Sequence, residues 1–312
     1  MPSTNSFDLF FQNFPPLNRA EDYIEFWKRS ISELKRISID PTFEKEGGDS
    51  GFFDIINVSF RGYLKSRIRG KLYLPKHIEK PRVIISIPDY NLMPGYEQYP
   101  LDKELAFFFL ELRGHDILNT ITTKEEKLPG FILDNILVKD SFYVKSIYLD
   151  VYRIIDLLRL YDRLDCNSIG LIGKGLGAAA GLFATVYSDR IKAIVLDTPS
   201  FCHLELSQNI SKSDTTKEIN QFLSNHRGKK KIIKKNLSYF DAINLAEEII
   251  CPTLVTVGLK DILSPPQCVF ALFNHLVCDK TVEVYPEGGN EAGGKMQFTK
   301  SIQWLKARLL DL

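Results

Sequence analysis

The five residues Gly173-Lys174-Gly175-Leu176-Gly177 join a β-like run, Ser168-Ile169-Gly170-Leu171-Ile172, to an apolar, helix-like run from Ala178 to Val186. A strand that turns this abruptly into a helix, with glycine at every second place, belongs to a layered α/β chain and commonly carries chemistry. Two chemistries use such a turn. One is a nucleophile elbow, written G-x-S-x-G; the other is a phosphate-binding turn, written G-x-G-x-x-G/A, which offers a helix N-terminus to a dinucleotide. Here the central residue is glycine, not serine.

The rest of the chain follows the same architecture. Tyr23, Ile24, Trp27, Ile31 and Leu34 recur at helical spacing and predict an amphipathic helix from Ala20 to Arg36 that packs on a larger body. Strands are predicted at Phe53 to Phe60, Gly70 to Leu74, Val83 to Ile87 and Phe107 to Leu112, the first two forming a hairpin around Arg61 to Ser66. From Val144 the rhythm becomes helix, strand, helix, strand: a helix over Val144 to Leu164, strands at Gly170 to Ile172, Ala193 to Leu196, Thr253 to Val257 and Thr281 to Tyr285, and helices at Leu176 to Val186, Pro266 to Leu276 and Phe298 to Leu310. Such alternation implies a mostly parallel central sheet with helices on both faces. A lysine-rich stretch, Ser207 to Asn236, reads as a helical insertion over the carboxyl edge of that sheet. With no repeat or low-complexity linker, the 312 residues are expected to form one domain, with the N-terminal helix as an extension.

Charge and composition narrow the function classes. A net charge of +1 gives no global reason to expect nucleic acid or an anionic membrane. The one strong basic cluster, Arg227 to Lys235, lacks the interleaved aromatics of a nucleic-acid groove and reads as a solvated face. The five cysteines, Cys166, Cys202, Cys251, Cys268 and Cys278, have neither CxxC spacing nor the density of a disulfide scaffold, as expected of reduced thiols in the cytoplasm. The five histidines form no H-E-x-x-H or comparable unit, so no metal is expected. No apolar stretch approaches the ~18 residues of a membrane span.

The dinucleotide reading rests on Gly173, Gly175 and Ala178 as G-x-G-x-x-A, with Asp197 ending the next strand at the ~20-residue distance of a ribose-binding acid. Against it, that fingerprint normally follows the first strand of its unit, and here several strands come earlier. The elbow reading requires more places in the chain. Asp261 follows the strand at Thr253 to Val257, where a triad acid is expected; Asn290 follows the last strand, where a histidine is expected; and Tyr90 follows the strand ending near Ile87, where a backbone N–H faces a developing oxyanion. Leu176, after the central glycine, supplies the second N–H.

Matches dispersed along nearly the whole chain sharpen this reading: the Trp27 helix, Tyr90-Asn91, Arg113-Gly114, Phe201-Cys202-His203, Leu237 to Asp241, Val257 to Asp261 with Pro265 to Phe270, and Tyr285-Pro286-Glu287. On these the chain resembles the acetyl xylan esterase and cephalosporin C deacetylase family, carbohydrate esterase family seven. The resemblance implies an α/β-hydrolase fold, removal of acetyl groups from short xylo-oligosaccharides and cephalosporin C in active members, and ring-like homo-oligomers, commonly hexamers.

The departures lie at the chemistry. The family pattern has its serine nucleophile at Gly175, glutamine at Leu176, and a histidine-glutamate pair at Asn290-Glu291; its Arg-Gly-Gln is Arg113-Gly114-His115 here, and its glycine-rich stretch after the tyrosine is Leu92-Met93-Pro94-Gly95. Of the three triad positions, Asp261 alone keeps its group. Acyl transfer by this route needs a hydroxyl to attack and an imidazole to take and return the proton. Gly175 and Asn290 provide neither. The sequence therefore predicts a catalytically deficient homologue, without cofactor, that binds an acetylated saccharide or other small ligand or acts as a scaffold. Two alternatives stay open: an active esterase with a relocated nucleophile among Ser200, Ser264, Cys202, His203 and His115, and the dinucleotide-binding protein. The main-chain donors of Tyr90 and Leu176 are expected to persist as a weak site for a carbonyl oxygen or an anion, and Lys174 is expected to be solvated.

Overall fold

The computed structural model describes residues 4–47, 51–90, 100–114 and 130–310. Its centre is one nine-stranded sheet among the described residues, made of β1 (Thr42–Lys45), β2 (Phe53–Arg61), β3 (Arg67–Pro75), β4 (Arg82–Ile87), β5 (Ala106–Glu111), β6 (Asp165–Lys174), β7 (Ile191–Asp197), β8 (Thr253–Gly258) and β9 (Lys280–Tyr285) in the order β1-β2-β3-β5-β4-β6-β7-β8-β9. The first three pair antiparallel with one another and β3 pairs antiparallel with β5; from β5 onward every pairing is parallel. β6 therefore lies in the middle of the sheet with parallel neighbours on both sides, and the turn leaving it opens at the carboxyl edge.

Helices are α1 (Thr4–Phe11), α2 (Tyr23–Lys35), α3 (Tyr143–Leu158), α4 (Leu176–Val186), α5 (Leu204–Ile210), α6 (Asp214–Asn225), α7 (Lys230–Leu237), α8 (Pro266–His275) and α9 (Gly294–Leu310). Alternate residues of the central strands face opposite ways and enter two cores. Val83, Ile85 and Ile87 of β4 pack with α2, α3, α4 and α8, while Ile84, with Ile172 and Val195, packs against Ile302, Leu305 and Leu309 of α9. Helices thus cover both faces, as expected.

Helix α2 is anchored by Trp27. Its side chain is fully buried, its ring lies 4.3 Å from that of Phe183 in α4 and 5.6 Å from that of Phe240, and its Nε1 donates to the Tyr239 carbonyl at 3.2 Å. The turn between β2 and β3 is held from a distance. Arg113 pairs with Asp150 at 2.7 Å and donates to the Tyr63 carbonyl and Ser66 Oγ, while Asp150 accepts from the Tyr63 N–H. Burial raises the Asp150 pKa, and Arg113 pulls it back.

Three elements differ from expectation. The helix predicted to Leu164 ends at Leu158, and β6 already begins at Asp165. The final helix begins at Gly294 rather than Phe298. Two elements, α1 and β1, were not expected at all. α1 is fixed by tertiary contacts, with Phe10 and Phe11 each 5.0 Å from the Phe270 ring, and β1 is a four-residue edge strand on β2. The lysine-rich stretch is helical, as α5, α6 and α7. Asn91, Leu92 to Gly95 and His115 lie outside the described residues. Among the described residues no helix is long and apolar enough to cross a membrane, and no group of three or more metal-ligating side chains forms.

Candidate functional site

β6 passes through Gly175 into α4 with φ +53° and ψ −120° at that residue, a conformation disfavoured for any side chain with a Cβ. The turn is pinned from both sides: the Gly175 N–H donates to the Asp197 carbonyl and its carbonyl accepts from Ser200 N–H, each at 3.1 Å. Gly177 permits close approach, since a Cβ there would meet the Pro88 and Ile87 carbonyls. The end of β4 is thereby pressed against the first turn of α4.

That approach brings Tyr90 and Leu176 together as expected, but their donors are not open. The carboxylate Oδ1 of Asp89 accepts from Leu176 N–H at 2.7 Å and from Tyr90 N–H at 2.8 Å. The same carboxylate fills the volume that a side chain on Gly175 would take. The expected weak site for a carbonyl oxygen is therefore corrected: both N–H groups are present, and the Asp89 carboxyl group occupies them. Desolvation raises the Asp89 pKa, and the hydrogen bonds from Leu176 and Tyr90, then the nearby Lys174 charge, oppose the rise. The positive end of the α4 dipole also favours a carboxylate at this place.

Asp261 and Asn290 also meet. Asn290 Nδ2 donates to Asp261 Oδ2 at 3.1 Å, and Asp261 Oδ1 accepts from the N–H groups of Leu263 and Ser264 at 2.7 and 2.9 Å. Asp261 is buried, which raises its pKa against these hydrogen bonds. An amide can stand where an imidazole would stand and satisfy the acid, but it cannot take up a proton at neutral pH.

Lys174 is not simply solvated. Its ammonium donates to Asp197 Oδ2 at 3.0 Å, to Thr198 Oγ1 at 3.2 Å and to the Asn290 carbonyl at 2.8 Å, tying the β9 loop to the elbow. Thr256 Oγ1 donates to the other oxygen of Asp197 at 2.6 Å. The acid assigned to a ribose in the dinucleotide reading is thus engaged within the sheet edge. A phosphate at the α4 N-terminus would also have to displace the Asp89 carboxylate.

Among the described residues, the substitute nucleophiles Ser200, Ser264, Cys202 and His203 do not form a triad. Cys202 is buried, with its thiol directed at the Pro199 and Cys268 carbonyls and its pKa pushed well up by desolvation. Ser264 Oγ donates to the Thr198 carbonyl at 2.9 Å. His203 takes a left-handed conformation at the start of α5, and burial lowers its pKa. Among the described residues no histidine is hydrogen-bonded to Ser200 or Ser264; the ring contacts of His226 and His275 lie elsewhere.

A cavity of about 320 Å³ opens beside the elbow, with Asp89, Tyr90, Ser200, Asp214, Lys217 and Asn290 on its wall. Gly175 and Asp261 do not line it. Behind Tyr90, whose hydroxyl accepts from Ile132 N–H at 2.9 Å, lies buried Glu218, 3.3 Å from the same hydroxyl and raised in pKa by desolvation. A larger hollow of about 690 Å³, between Ile191, Pro252, Ile250 and Arg308, lies at the amino ends of β7 and β8 and shares none of these residues.

No sequence pattern singles out Asp89 or Glu218 by itself. The signal for Asp89 was present: an acid beside the oxyanion tyrosine, in a chain whose nucleophile position has lost a side chain.

Comparisons with known proteins bear on the family and the fold. Residues 11–308 match the model of the acetyl xylan esterase (AXE1) family. An acetyl esterase, Axe7A of Xylanibacter ruminicola, is 22% identical over 306 residues, covering 95% of this chain and 69% of that protein. The acetyl xylan esterase from Paenibacillus sp. R4 superposes with a TM-score of 0.87 at 24% identity over 99% of this chain and 100% of its own. Acetyl xylan esterase 1 from Thermoanaerobacterium sp. JW/SL YS485 gives 0.81 at 21% identity over 97% and 98%. An acylaminoacyl peptidase of Pyrococcus horikoshii shares the α/β-hydrolase fold at a TM-score of 0.59 and 16% identity, over 83% of this chain and 42% of its own.

Proposed function

The chain belongs to the acetyl xylan esterase family, and within it we propose that this protein is a non-hydrolysing member, one that binds a small ligand such as an acetylated saccharide or serves as a scaffold. One observation carries the reading: Gly175 stands at the nucleophile position with the Asp89 carboxylate in the volume its side chain would fill. Asn290 at the base position supports it. Loss of either nucleophile or base from a triad lowers turnover by about 10⁶, and the two losses do not add, so a chain without one gains little by keeping the other. The cavity of about 320 Å³ beside Asn290 supports the binding role.

Five cysteines without disulfides, four of them buried, support a reducing compartment, the cytoplasm. Self-association as a homo-oligomer belongs to the same reading. Exposed Ile250 and Val277, which precede neighbouring strands β8 and β9 at one end of the sheet, support it, and light scattering tests it.

The deciding experiment is an assay of the purified protein on p-nitrophenyl acetate and acetylated xylo-oligosaccharides, with fluorophosphonate labelling in parallel. Rates at background and no labelled serine are expected. Turnover comparable to that of active relatives overturns the proposal, and a labelled serine assigns the chemistry to a relocated nucleophile.

A further inference from the structure

We infer that Asp89 is a built-in occupant of the oxyanion hole, an autoinhibitory contact that closes the site to acyl oxygens independently of the missing serine and histidine. The inference rests on the non-hydrolysing reading and adds a second block to it. An oxyanion hole works because two N–H groups converge, without reorganisation, on the place where negative charge develops. In this chain the two groups, on Tyr90 and Leu176, converge on Asp89 Oδ1 at 2.8 and 2.7 Å, within the range of charge-assisted hydrogen bonds. The occupant is covalently tethered one residue from one donor, so its local concentration exceeds that of any free ester. Its oxygen stands at the spot where a tetrahedral intermediate would place its own.

The elbow and the plug fit each other. Gly175 is the one residue type that leaves the carboxylate its place, because any Cβ there would overlap the Asp89 carboxyl group. Asp89 lies on the wall of the neighbouring cavity while Gly175 does not, so the carboxylate stands between the elbow and the space in which a ligand would sit. A ligand of that cavity is therefore read by Asp89, Asn290 and the surrounding hydroxyls, and its carbonyl oxygens find no main-chain donors at the elbow.

The test is amide hydrogen exchange in the unmodified chain, Asp89→Asn and Asp89→Gly, each checked for folding by circular dichroism; residue 175 stays glycine, because a Cβ there would itself displace the Asp89 carboxyl group. The Tyr90 and Leu176 amides are expected to be protected in the unmodified chain and in Asp89→Asn, which keeps an oxygen for both N–H groups, and to lose protection in Asp89→Gly. Unchanged protection in Asp89→Gly overturns the inference. Turnover by the unmodified protein instead sinks the non-hydrolysing reading, so the two failures are told apart.

Discussion

The Asp89 carboxylate lies where the first side-chain carbon of any residue other than glycine at position 175 would be. The two positions are 86 apart in sequence, 175 − 89, and meet because β4 and β6 are parallel neighbours ending at the same edge. A substitution at either one is read by the other.

Gly175→Ala is therefore expected to destabilise the protein by more than its backbone strain. A non-glycine residue at φ +53° costs about 1–3 kcal/mol, and the Asp89 carboxylate must also move. In an Asp89→Gly background the steric part disappears. Urea unfolding of the four proteins of the cycle should give a coupling of about 0.5–3 kcal/mol. Costs that simply add would show that the carboxylate does not occupy that volume.

Asp261 is predicted to act on stability here, through the turn it holds. Asp261→Ala removes the acceptor of the Leu263 and Ser264 N–H groups and of the Asn290 amide. Leaving such buried donors unpaired costs about 1–3 kcal/mol. Chemical denaturation measures the loss, and stability equal to the unmodified protein would mean that water replaces the acid without cost.

Lys174→Met should weaken the attachment of the Asn290 loop to the elbow. It removes the ammonium shared by Asp197, Thr198 and the Asn290 carbonyl, and a loss of about 1–3 kcal/mol is expected. The same engagement of Asp197 predicts that nicotinamide dinucleotides do not raise the melting temperature of the unmodified protein. Bound ligand at a hundredfold its Kd would add about 2.7 kcal/mol, a shift readily seen by calorimetry.

Asp241 gives the protein a pH dependence of known sign. It is buried and caps the segment after it, accepting from Leu204 N–H at 2.7 Å and Ile243 N–H at 3.3 Å. Desolvation nevertheless pushes its pKa up to about 6. A carboxyl raised on folding contributes stability that is fully present below its unfolded pKa and is lost as pH rises through the folded value. The contribution should thus fade between about pH 4 and pH 6. The margin of the unmodified protein over Asp241→Asn is expected to be larger at pH 4 than at pH 7 in urea titrations. A margin that grows with pH would reverse the assignment.

Much of the frame was legible because it rests on local patterning. The glycine pentapeptide predicted the β6–α4 junction, and α4 spans the residues expected, Leu176–Val186. The alternation after Val144 predicted the parallel half of the sheet, since strands buried on both faces read as short apolar runs between helical periods. What escaped was held by distant contacts. α1 is fixed by the Phe270 ring, and β1 is too short to show alternation.

The site divides in the same way. Residue types at known places in the chain sufficed to show that Gly175 offers no nucleophile and Asn290 no base, because a missing functional group is a property of the residue itself. Only the tertiary structure decided what stands in their stead: the parallel pairing of β4 with β6 carries Asp89 onto the first amides of α4, and the β9 loop carries Asn290 onto Asp261 and Lys174. Hydrogen bonds between residues 29 to 116 positions apart are set by how strands align at one edge, a relation that linear order does not encode locally.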